Sequence, residues 1–204
     1  VGDGGTLDVN GGTTGAVTST GAVTLGGGTV ASLTQNAPVA GTATTVVDGD
    51  TEVTGQTDIN AGSLTVDAGQ TLTATGNVDL AAGTTGAVNG TVAGDVTSAG
   101  DLDVAGTGTG SVGGDVTASA GDVDVAGGGS VTGPLSSAVM DGSNAGTLGA
   151  LSVTGGMFSN TGEVTTTTSV TGGTLTSTGT LTGAVTVGDG GTLDVNGGTT
   201  GAVT

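Results

Sequence analysis

A short pattern that recurs about every twenty residues constrains this chain more than any other feature. It has the form Gly-x-apolar-Thr-Ser-x-Gly-x-apolar-x-apolar, and it reads GAVTSTGAVTL at Gly15–Leu25 and GDVTSAGDLDV at Gly94–Val104. Further copies begin about 17 to 24 residues apart, or near multiples of that spacing, at Gln70, Gly114, Gly156 and Gly173. One such unit cannot bury its own apolar face, so the units must stack on one another.

Each copy of the pattern predicts two strands joined at a glycine. Apolar and polar residues alternate, as in Gly121-Asp122-Val123-Asp124-Val125, with the period of half-buried strands. The central Ser-x-Gly predicts a corner at which glycine adopts positive φ, so that the apolar side chains of both strands point inward. Helices are not expected, because glycine recurs about every fourth residue and each one costs a helix about 1 kcal/mol.

Stacked coils of this kind predict an all-β fold, a parallel β-helix or β-solenoid with coils of about 17–24 residues. Coils about 4.8 Å apart would form a rod. We expect the right-handed form, because connections between parallel strands are overwhelmingly right-handed. The residues expected to fill the core are Val9, Val17, Val23, Leu25, Val30, Ile59, Leu64, Val66, Leu72, Val78, Leu80, Val96, Leu102, Val104, Val116, Val123, Val125, Leu175 and Leu181.

A second repeat is much longer. The segment Val1–Thr18 recurs without one change as Val187–Thr204. This identity indicates an array of near-identical units, with 1–186 as one unit and 187–204 as the start of the next. We therefore expect 1–204 to be one continuous solenoid segment. The expected partners are further copies of the unit, stacked end to end and, in fibres, side by side.

The residue types that are missing exclude most catalytic chemistry. The 204 residues include no Lys, Arg, His, Cys, Trp or Tyr, and only one Phe. Without an imidazole base, a thiolate, an amine nucleophile or the usual zinc ligands, we expect no enzyme and no catalytic residue. The pairs Asp48/Asp50, Asp101/Asp103 and Asp122/Asp124 have a spacing near that of glycosidase carboxylates. However, the aromatic and cationic groups typical of sugar sites are missing.

Charge excludes two classes of partner. The formal net charge of −18 is unopposed by any basic side chain, so nucleic acid and anionic membrane surfaces are repelled. No stretch approaches the roughly 20 apolar residues of a membrane helix, and membrane insertion is not expected. Trypsin has no cleavage site in this chain. These properties favour a soluble, protease-resistant structural protein outside the cell or at its surface.

Three acidic residues are candidate calcium ligands, namely Asp3, Asp48 and Asp50. They lie in Gly2-Asp3-Gly4-Gly5 and Val47-Asp48-Gly49-Asp50, where carboxylates and bare carbonyls come close together, as a hard cation requires. These runs resemble fragments of the calcium-binding Gly-Gly-x-Gly-x-Asp repeat of secreted toxins. In the alternative interpretation, which we favour, outward aspartates solvate the rod and no cofactor is bound.

Two stretches that contain proline break the pattern, Ala31–Asp50 and Val131–Gly149. Because proline cannot donate to a ladder, we expect solvent-facing loops there, and the alternative is that these stretches make lateral contacts between fibres. The candidate contact residues are Pro38, Pro134, Met140, Met157 and Phe158, and methionine in particular suits irregular contact surfaces. For Phe158 the alternative is that its ring fills a wider coil.

Threonine is abundant, with a run at Thr165–Thr168 and an alternating series from Thr174 to Thr180. Ladders of threonine on a flat solenoid face can bind ice. Such a surface needs Thr-x-Thr at one position of every coil, whereas we expect threonine placement in this chain to wander between coils. Ice binding is therefore a minor alternative function.

The strings DVTSAGDLDVAG and GGTLTSTGTLTGAVTV resemble the coils of filamentous-haemagglutinin-type adhesins and other giant bacterial surface proteins. The resemblance covers most of the chain. It implies a right-handed β-helical shaft displayed outside the cell. The leading expectation is a structural extracellular filament, stalk or sheath component. A ligand- or calcium-binding segment of an adhesin, or a component of a biofilm matrix, is the alternative.

Overall fold

The computed structural model describes residues 1–38, 42–138 and 141–204. All regular elements in these ranges are β-strands, and every strand pair is parallel. None of the described ranges contains a helix that could span a membrane. The strands are β1 (Thr6–Val9), β2 (Thr13–Ser19), β3 (Ala22–Gln35), β4 (Thr44–Val53), β5 (Thr57–Ile59), β6 (Ser63–Val66), β7 (Thr71–Ala74), β8 (Val78–Leu80), β9 (Thr85–Val88), β10 (Thr91–Ala93), β11 (Val96–Ser98), β12 (Asp101–Val104), β13 (Ser111–Val112), β14 (Val116–Ala118), β15 (Val123–Val125), β16 (Ser130–Ser137), β17 (Asp141–Asn144), β18 (Thr147–Val153), β19 (Met157–Asn160), β20 (Glu163–Val164), β21 (Thr168–Val170), β22 (Gly173–Ser177), β23 (Thr180–Leu181), β24 (Val185–Val187), β25 (Gly191–Val195) and β26 (Thr199–Thr200).

The strands form three ladders along the axis. Ladder A contains β1, the first parts of β3 and β4, and then β6, β9, β12, β15, β17, β19, β22 and β25. Ladder B contains the first part of β2, the middle of β3, the end of β4, β7, β10, β13, the first parts of β16 and β18, β20, β23 and β26. Ladder C contains the ends of β2 and β3, β5, β8, β11, β14, the ends of β16 and β18, β21 and β24.

Each coil contributes one strand to each of ladders A, B and C, which confirms the predicted β-solenoid. There are three strands per coil, where the pattern predicted two. The right-handed sense stays a prediction.

Coil length varies along the stack. In one of the shortest coils Thr6 pairs with Ala22, whereas in the longest Leu33 pairs with Thr57. The predicted coil length therefore holds except for the shortest coils, which fall just below it. Extra residues lie at corners, as between β12 and β13, where 105–110 connect the strands. The ladders stay in register because the corners absorb the difference.

The inward side chains of the three ladders form one narrow continuous core. All nineteen residues predicted for this core are buried. Because coils are evenly spaced, each inward position becomes a column of aliphatic side chains that cover one another along the axis. Burial of this apolar surface, at about 25 cal/mol per Å², is the main force that holds the coils together. The core also includes Leu33, Val47, Val53, Val92, Val112, Val131, Leu135, Leu148, Leu151, Val153, Val164, Val170 and Val185.

Glycine is required at the corners mainly because successive coils approach closely. A Cβ on Gly21 or Gly100 would lie 2.2 or 2.3 Å from a carbonyl oxygen of the preceding coil. Neither glycine has the positive φ that the pattern predicted, whereas Gly121 does, with φ 70°. The prediction of positive φ was therefore wrong at Gly21 and Gly100, where glycine is required because a side chain would clash with the preceding coil. The corner between ladders A and B carries a column of glycines at which a Cβ would likewise clash with the preceding coil, namely Gly146, Gly162, Gly179 and Gly198.

The two proline-containing stretches are mostly strand, so the prediction of long loops was wrong. Most of Val131–Gly149 lies in β16, β17 and β18. Pro134 sits inside β16, opposite Ala150, where the register shifts. A shift of this kind is a place where a strand accommodates proline. Pro38 lies between β3 and β4, and the described residues of Ala31–Asp50 that do not form strand are 36–38 and 42–43.

Candidate functional site

The outward side of ladder B carries a hydroxyl residue in nearly every coil. The Oγ1 of Thr91 lies 3.1 Å from the Oγ of Ser111, and Thr199 Oγ1 donates to Thr180 Oγ1 at 3.3 Å. One carboxylate, Glu163, interrupts the column and accepts a hydrogen bond from Thr182 Oγ1 at 3.3 Å. The column is Thr71, Thr91, Ser111, Ser130, Thr147, Glu163, Thr180 and Thr199.

Ladder C has a similar outward column, which again contains a hydroxyl residue in most coils. Two aspartates, Asp58 and Asp79, interrupt it once. Hydroxyl residues are thus aligned on these two faces, although serine and acidic residues share the columns with threonine, and Thr-x-Thr does not recur in every coil, as expected. The hydroxyl residues of one column are unequally spaced in the sequence, because the corners differ in length. The ladders nevertheless align them at one position of each coil. The column is Thr18, Thr34, Asp58, Asp79, Thr97, Thr117, Ser136, Ser152, Ser169 and Thr186.

A shallow groove of about 550 Å³ follows the corner between ladders A and B in the later coils. Its lining includes the glycine column from Gly146 to Gly198, and it arises because these residues have no side chains. Threonine hydroxyls border it, for example those of Thr161 and Thr178, and Glu163 is its one carboxylate. Besides this carboxylate, the groove offers hydroxyl and backbone groups, which can form hydrogen bonds.

Five aspartates on the outside of ladder A form what we call the acidic patch, namely Asp101, Asp103, Asp122, Asp124 and Asp141. Asp103 stacks on Asp124, and Asp122 N–H donates to Asp101 Oδ1 at 3.1 Å. Partial burial, and secondarily the charges of Asp124, Asp101 and Asp122, raise the pKa of Asp103. The patch thus concentrates negative charge in three successive coils, and this repulsion is offset there by hydrogen bonds such as the one from Ser143 Oγ to Asp124 Oδ1.

The carboxylate pairs considered for sugar chemistry do not line the groove. Asp101/Asp103 and Asp122/Asp124 lie within the acidic patch, on the outer face of ladder A, and Asp48/Asp50 lies in β4 of an early coil. The groove follows the A–B corner of later coils. The structure therefore does not bring a pair of carboxylates and a concave binding surface together at this site.

The three candidate calcium ligands are spread over two corners. Asp3 precedes β1, while Asp48 and Asp50 lie in β4 at the corner between ladders A and B. The Oδ1 of Asp50 accepts a hydrogen bond from Thr71 N–H at 2.8 Å. Over the described ranges, no three acidic residues come together in a way that could hold a metal ion. Calcium binding stays a prediction.

The candidate lateral-contact residues do not form one surface. Met157 is 59% exposed on the outside of ladder A, and Pro134 is exposed on ladder C. Pro38 is half-buried in a connection, and Met140 lies outside the described residues. Met157 follows Asp141 in the outward column and is the exposed apolar side chain best placed for a lateral contact.

Phe158 is not available for such a contact, because its ring is 1% exposed and belongs to the core. It stacks between Gly142 and Leu175 in the inward column of ladder A. A Cβ on Gly142 would lie 2.6 Å from Phe158 Cδ2. The single aromatic side chain is therefore accommodated by the absence of a side chain in the coil before it.

A buried polar column in the later coils was not predicted from the sequence. Asn144 Nδ2 donates to Asn160 Oδ1 at 2.7 Å, and Asn160 Nδ2 donates to Ser177 Oγ at 3.1 Å. All three side chains are fully buried. The signal was present, because each residue stands two positions before a corner glycine, and Gly146 N–H donates to Asn144 Oδ1 at 3.0 Å.

Comparison of the chain with protein-family models, with curated proteins and with solved structures gave no match. Function is therefore inferred from the three ladders, their outward columns and the long repeat.

Proposed function

We propose that this chain is part of the shaft of an extracellular filament, stalk or sheath built from tandem 186-residue solenoid units. The observation that carries the proposal is that the identical segments 1–18 and 187–204 form coils of one uninterrupted stack. A solenoid grows along one axis, because each coil contacts only its neighbours. Its function would be mechanical, to hold distant points apart.

The surface supports a mechanical role outside the cell. The outward columns consist largely of Ser, Thr and Asp, and the unopposed charge of −18 keeps neighbouring shafts apart in solution. A chain without Lys or Arg is not cut by trypsin, which favours persistence outside the cell. This role requires no catalytic group, cofactor, nucleic acid or membrane.

The test is the mass and shape of the native protein. We expect a chain of several units, seen by electron microscopy as a thin rod that lengthens by about 48 Å per unit, from ten coils about 4.8 Å apart. We also expect the rod to resist proteinase K. A native chain of 18.4 kDa that forms no filament would contradict the proposal.

The aligned hydroxyl columns support ice binding as a second candidate function. Both columns repeat at the coil spacing, and long stretches of them bear no charge. The measurement is inhibition of ice recrystallisation by the 204-residue chain and by Thr117→Lys, which disrupts the column on ladder C. Thr65→Lys, on the outside of ladder A, is the matched control. Equal activity of both variants, or no activity of the parent chain, would exclude this function.

A further inference from the structure

The repeated eighteen-residue segment occurs in two different surroundings within this chain. In the first copy, Leu7 pairs with Val23 of the following coil. In the second copy, the equivalent residue Leu193 pairs with Leu175 of the preceding coil. The same sequence is therefore seen with a neighbour on one edge in one copy and with a neighbour on the opposite edge in the other.

In the first copy, the hydrogen bonds to the following coil use one set of backbone groups. The carbonyl of Gly5 accepts from Ala22 N–H at 3.0 Å, and the carbonyl of Gly12 accepts from Thr29 N–H at 2.8 Å. Gly11 N–H also points to this side and donates to the carbonyl of Gly27 at 3.0 Å.

In the second copy, the hydrogen bonds to the preceding coil use a different set. Asn196 N–H donates to the carbonyl of Ser177 at 2.9 Å, and Thr199 N–H donates to the carbonyl of Gly179 at 3.1 Å. These donors correspond to Asn10 and Thr13 of the first copy, whereas the bonds just described for the first copy use Gly5, Gly11 and Gly12. One copy can therefore pair on both edges at once.

The two copies also share part of their local geometry. Gly4 and the equivalent Gly190 have φ 68° and 85°, and Gly11 and the equivalent Gly197 have φ 82° and 94°. In each copy the first nitrogen bonds the last carbonyl, from Val1 to Thr18 at 2.6 Å and from Val187 to Thr204 at 2.9 Å. The copies differ at the next glycine, because Gly12 has φ 79° and the equivalent Gly198 does not have positive φ, so the corner between ladders A and B adjusts to the edge that is covered.

The unit contains a whole number of coils. Leu7 and Leu193 stand in the same inward column of ladder A, ten stacking steps apart. A following unit would therefore begin on the same ladder and present the same faces. The column is Leu7, Val23, Thr45, Leu64, Gly86, Leu102, Val123, Gly142, Phe158, Leu175 and Leu193.

We propose that the eighteen-residue segment is the joint between successive units. It would pair on one edge with 173–186 of the preceding unit and on the other with 22–35 of its own unit, so that Leu193, now half-buried, is covered on both sides. The proposal rests on the proposed function, because it takes a further unit as the partner. Beyond the proposed function, the joint specifies three things. They are the pairing register between units, an axial repeat of about 48 Å and the recurrence of the acidic patch on one side of the rod.

The experiment compares the 204-residue chain with a two-unit chain, in which 1–186 is followed directly by 1–204. Hydrogen exchange is measured in Gly191–Gly198 of the 204-residue chain and in the same segment at the internal joint. We expect exchange at the joint to be slower by about tenfold or more, because the second edge gains hydrogen bonds. Equal exchange rates would overturn the proposal.

A substitution gives a second measurement. Leu193→Ser at the joint of the two-unit chain is expected to lower the melting temperature more than the same change in the 204-residue chain, because only the joint covers this side chain on both sides. Thr192→Ser, on the outward side, is the control and should have a small effect in both chains. Equal effects of Leu193→Ser in the two chains would contradict the joint.

The joint and the proposed function can fail separately. If the two-unit chain bends or opens at the joint while native material still forms filaments, the joint is wrong and the filament function stands. If the native chain proves to have one unit, the filament function fails, whereas slow exchange in the two-unit chain would still establish the joint.

Discussion

The middle coils, residues 85–141, and the later coils, residues 142–188, build the same three ladders from different side chains. In the second inward column of ladder A, the middle coils place Val88, Val104 and Val125, whereas the later coils place Asn144, Asn160 and Ser177. The outside differs as well. The middle coils carry seven acidic residues and the later coils carry one, Glu163.

This difference shows that backbone pairing between coils determines the architecture. An inward column can consist of apolar or of polar side chains, provided that the polar groups are hydrogen-bonded. Aliphatic side chains in successive coils need only van der Waals contact, which does not depend strongly on orientation. Buried amides must instead meet a donor or acceptor in the next coil, as Asn144 does with Asn160. The polar column should therefore be the more sensitive of the two to single substitutions.

The largest expected effect is that of Asn160→Ala in the later coils. It removes the hydrogen bonds that Asn160 makes with Asn144 and Ser177, so that Asn144 Nδ2 keeps only the Glu163 carbonyl, at 3.4 Å, and we expect a cost of about 3 kcal/mol. Val104→Ala in the middle coils removes only apolar contacts and should cost about 2 kcal/mol. Chemical denaturation of the two variants provides the comparison. An equal or smaller loss for Asn160→Ala would show that the amide column is not a matched network.

The triple variant Asn144→Val, Asn160→Val and Ser177→Val tests the same network as a whole. It replaces the partners together, so its cost should be smaller than the sum of the three single changes. Chemical denaturation of the single and triple variants measures the difference. Additive costs would mean that the three side chains act independently.

The next largest effect is expected for Gly142→Ala, at the boundary between the two regions. The new methyl group would overlap the Phe158 ring, and such overpacking costs about 2 kcal/mol. Adding Phe158→Leu should recover part of the loss, because the smaller side chain makes room. Thermal melting of the single and double variants measures this coupling, and a double variant less stable than Gly142→Ala would contradict it.

A smaller effect is expected for Asp103→Asn in the acidic patch. Burial and three neighbouring carboxylates raise the pKa of Asp103 in the folded protein. A raised carboxyl pKa contributes stability below the unfolded value, and this contribution is lost as the pH rises through the folded value. The variant should therefore be more stable than the parent at pH 7 and lose that advantage in acid. Melting curves across pH test this, with Asp8→Asn, outward on ladder A but far from the patch, as the control. A variant less stable than the parent at pH 7 would contradict the prediction.

The smallest effect is expected from divalent ions. Screening of the acidic middle coils should raise the melting temperature slightly, and equally for Ca²⁺ and Mg²⁺ at one ionic strength. A response specific to Ca²⁺ that disappears in Asp48→Asn would instead support the candidate calcium ligands. Titration monitored by melting temperature distinguishes the two outcomes.

Much of the interior could be predicted because the period-2 pattern is local. The alternation around Val123 and Val125 marks which side chains point inward, whatever the coil stacks on. Alignment between coils depends instead on corner length, and a slip of one residue would turn a strand's side chains to the opposite face. The hydroxyl columns, and the pairing of Phe158 with Gly142, could not be predicted for this reason. The Asn144–Asn160 contact follows the same logic, since its partners lie in successive coils.

The amino-acid sequence by itself determined an all-β solenoid, its apolar core and the recurrence of 1–18 at 187–204, because these follow from local alternation, glycine spacing and sequence identity. Only the tertiary structure decided which residues became neighbours along the axis. These neighbours along the axis bury Phe158 and leave Met157 exposed, and they bring five aspartates together in one patch. The physical reason is that strand register is a property of whole coils, set by the sum of three strands and three corners.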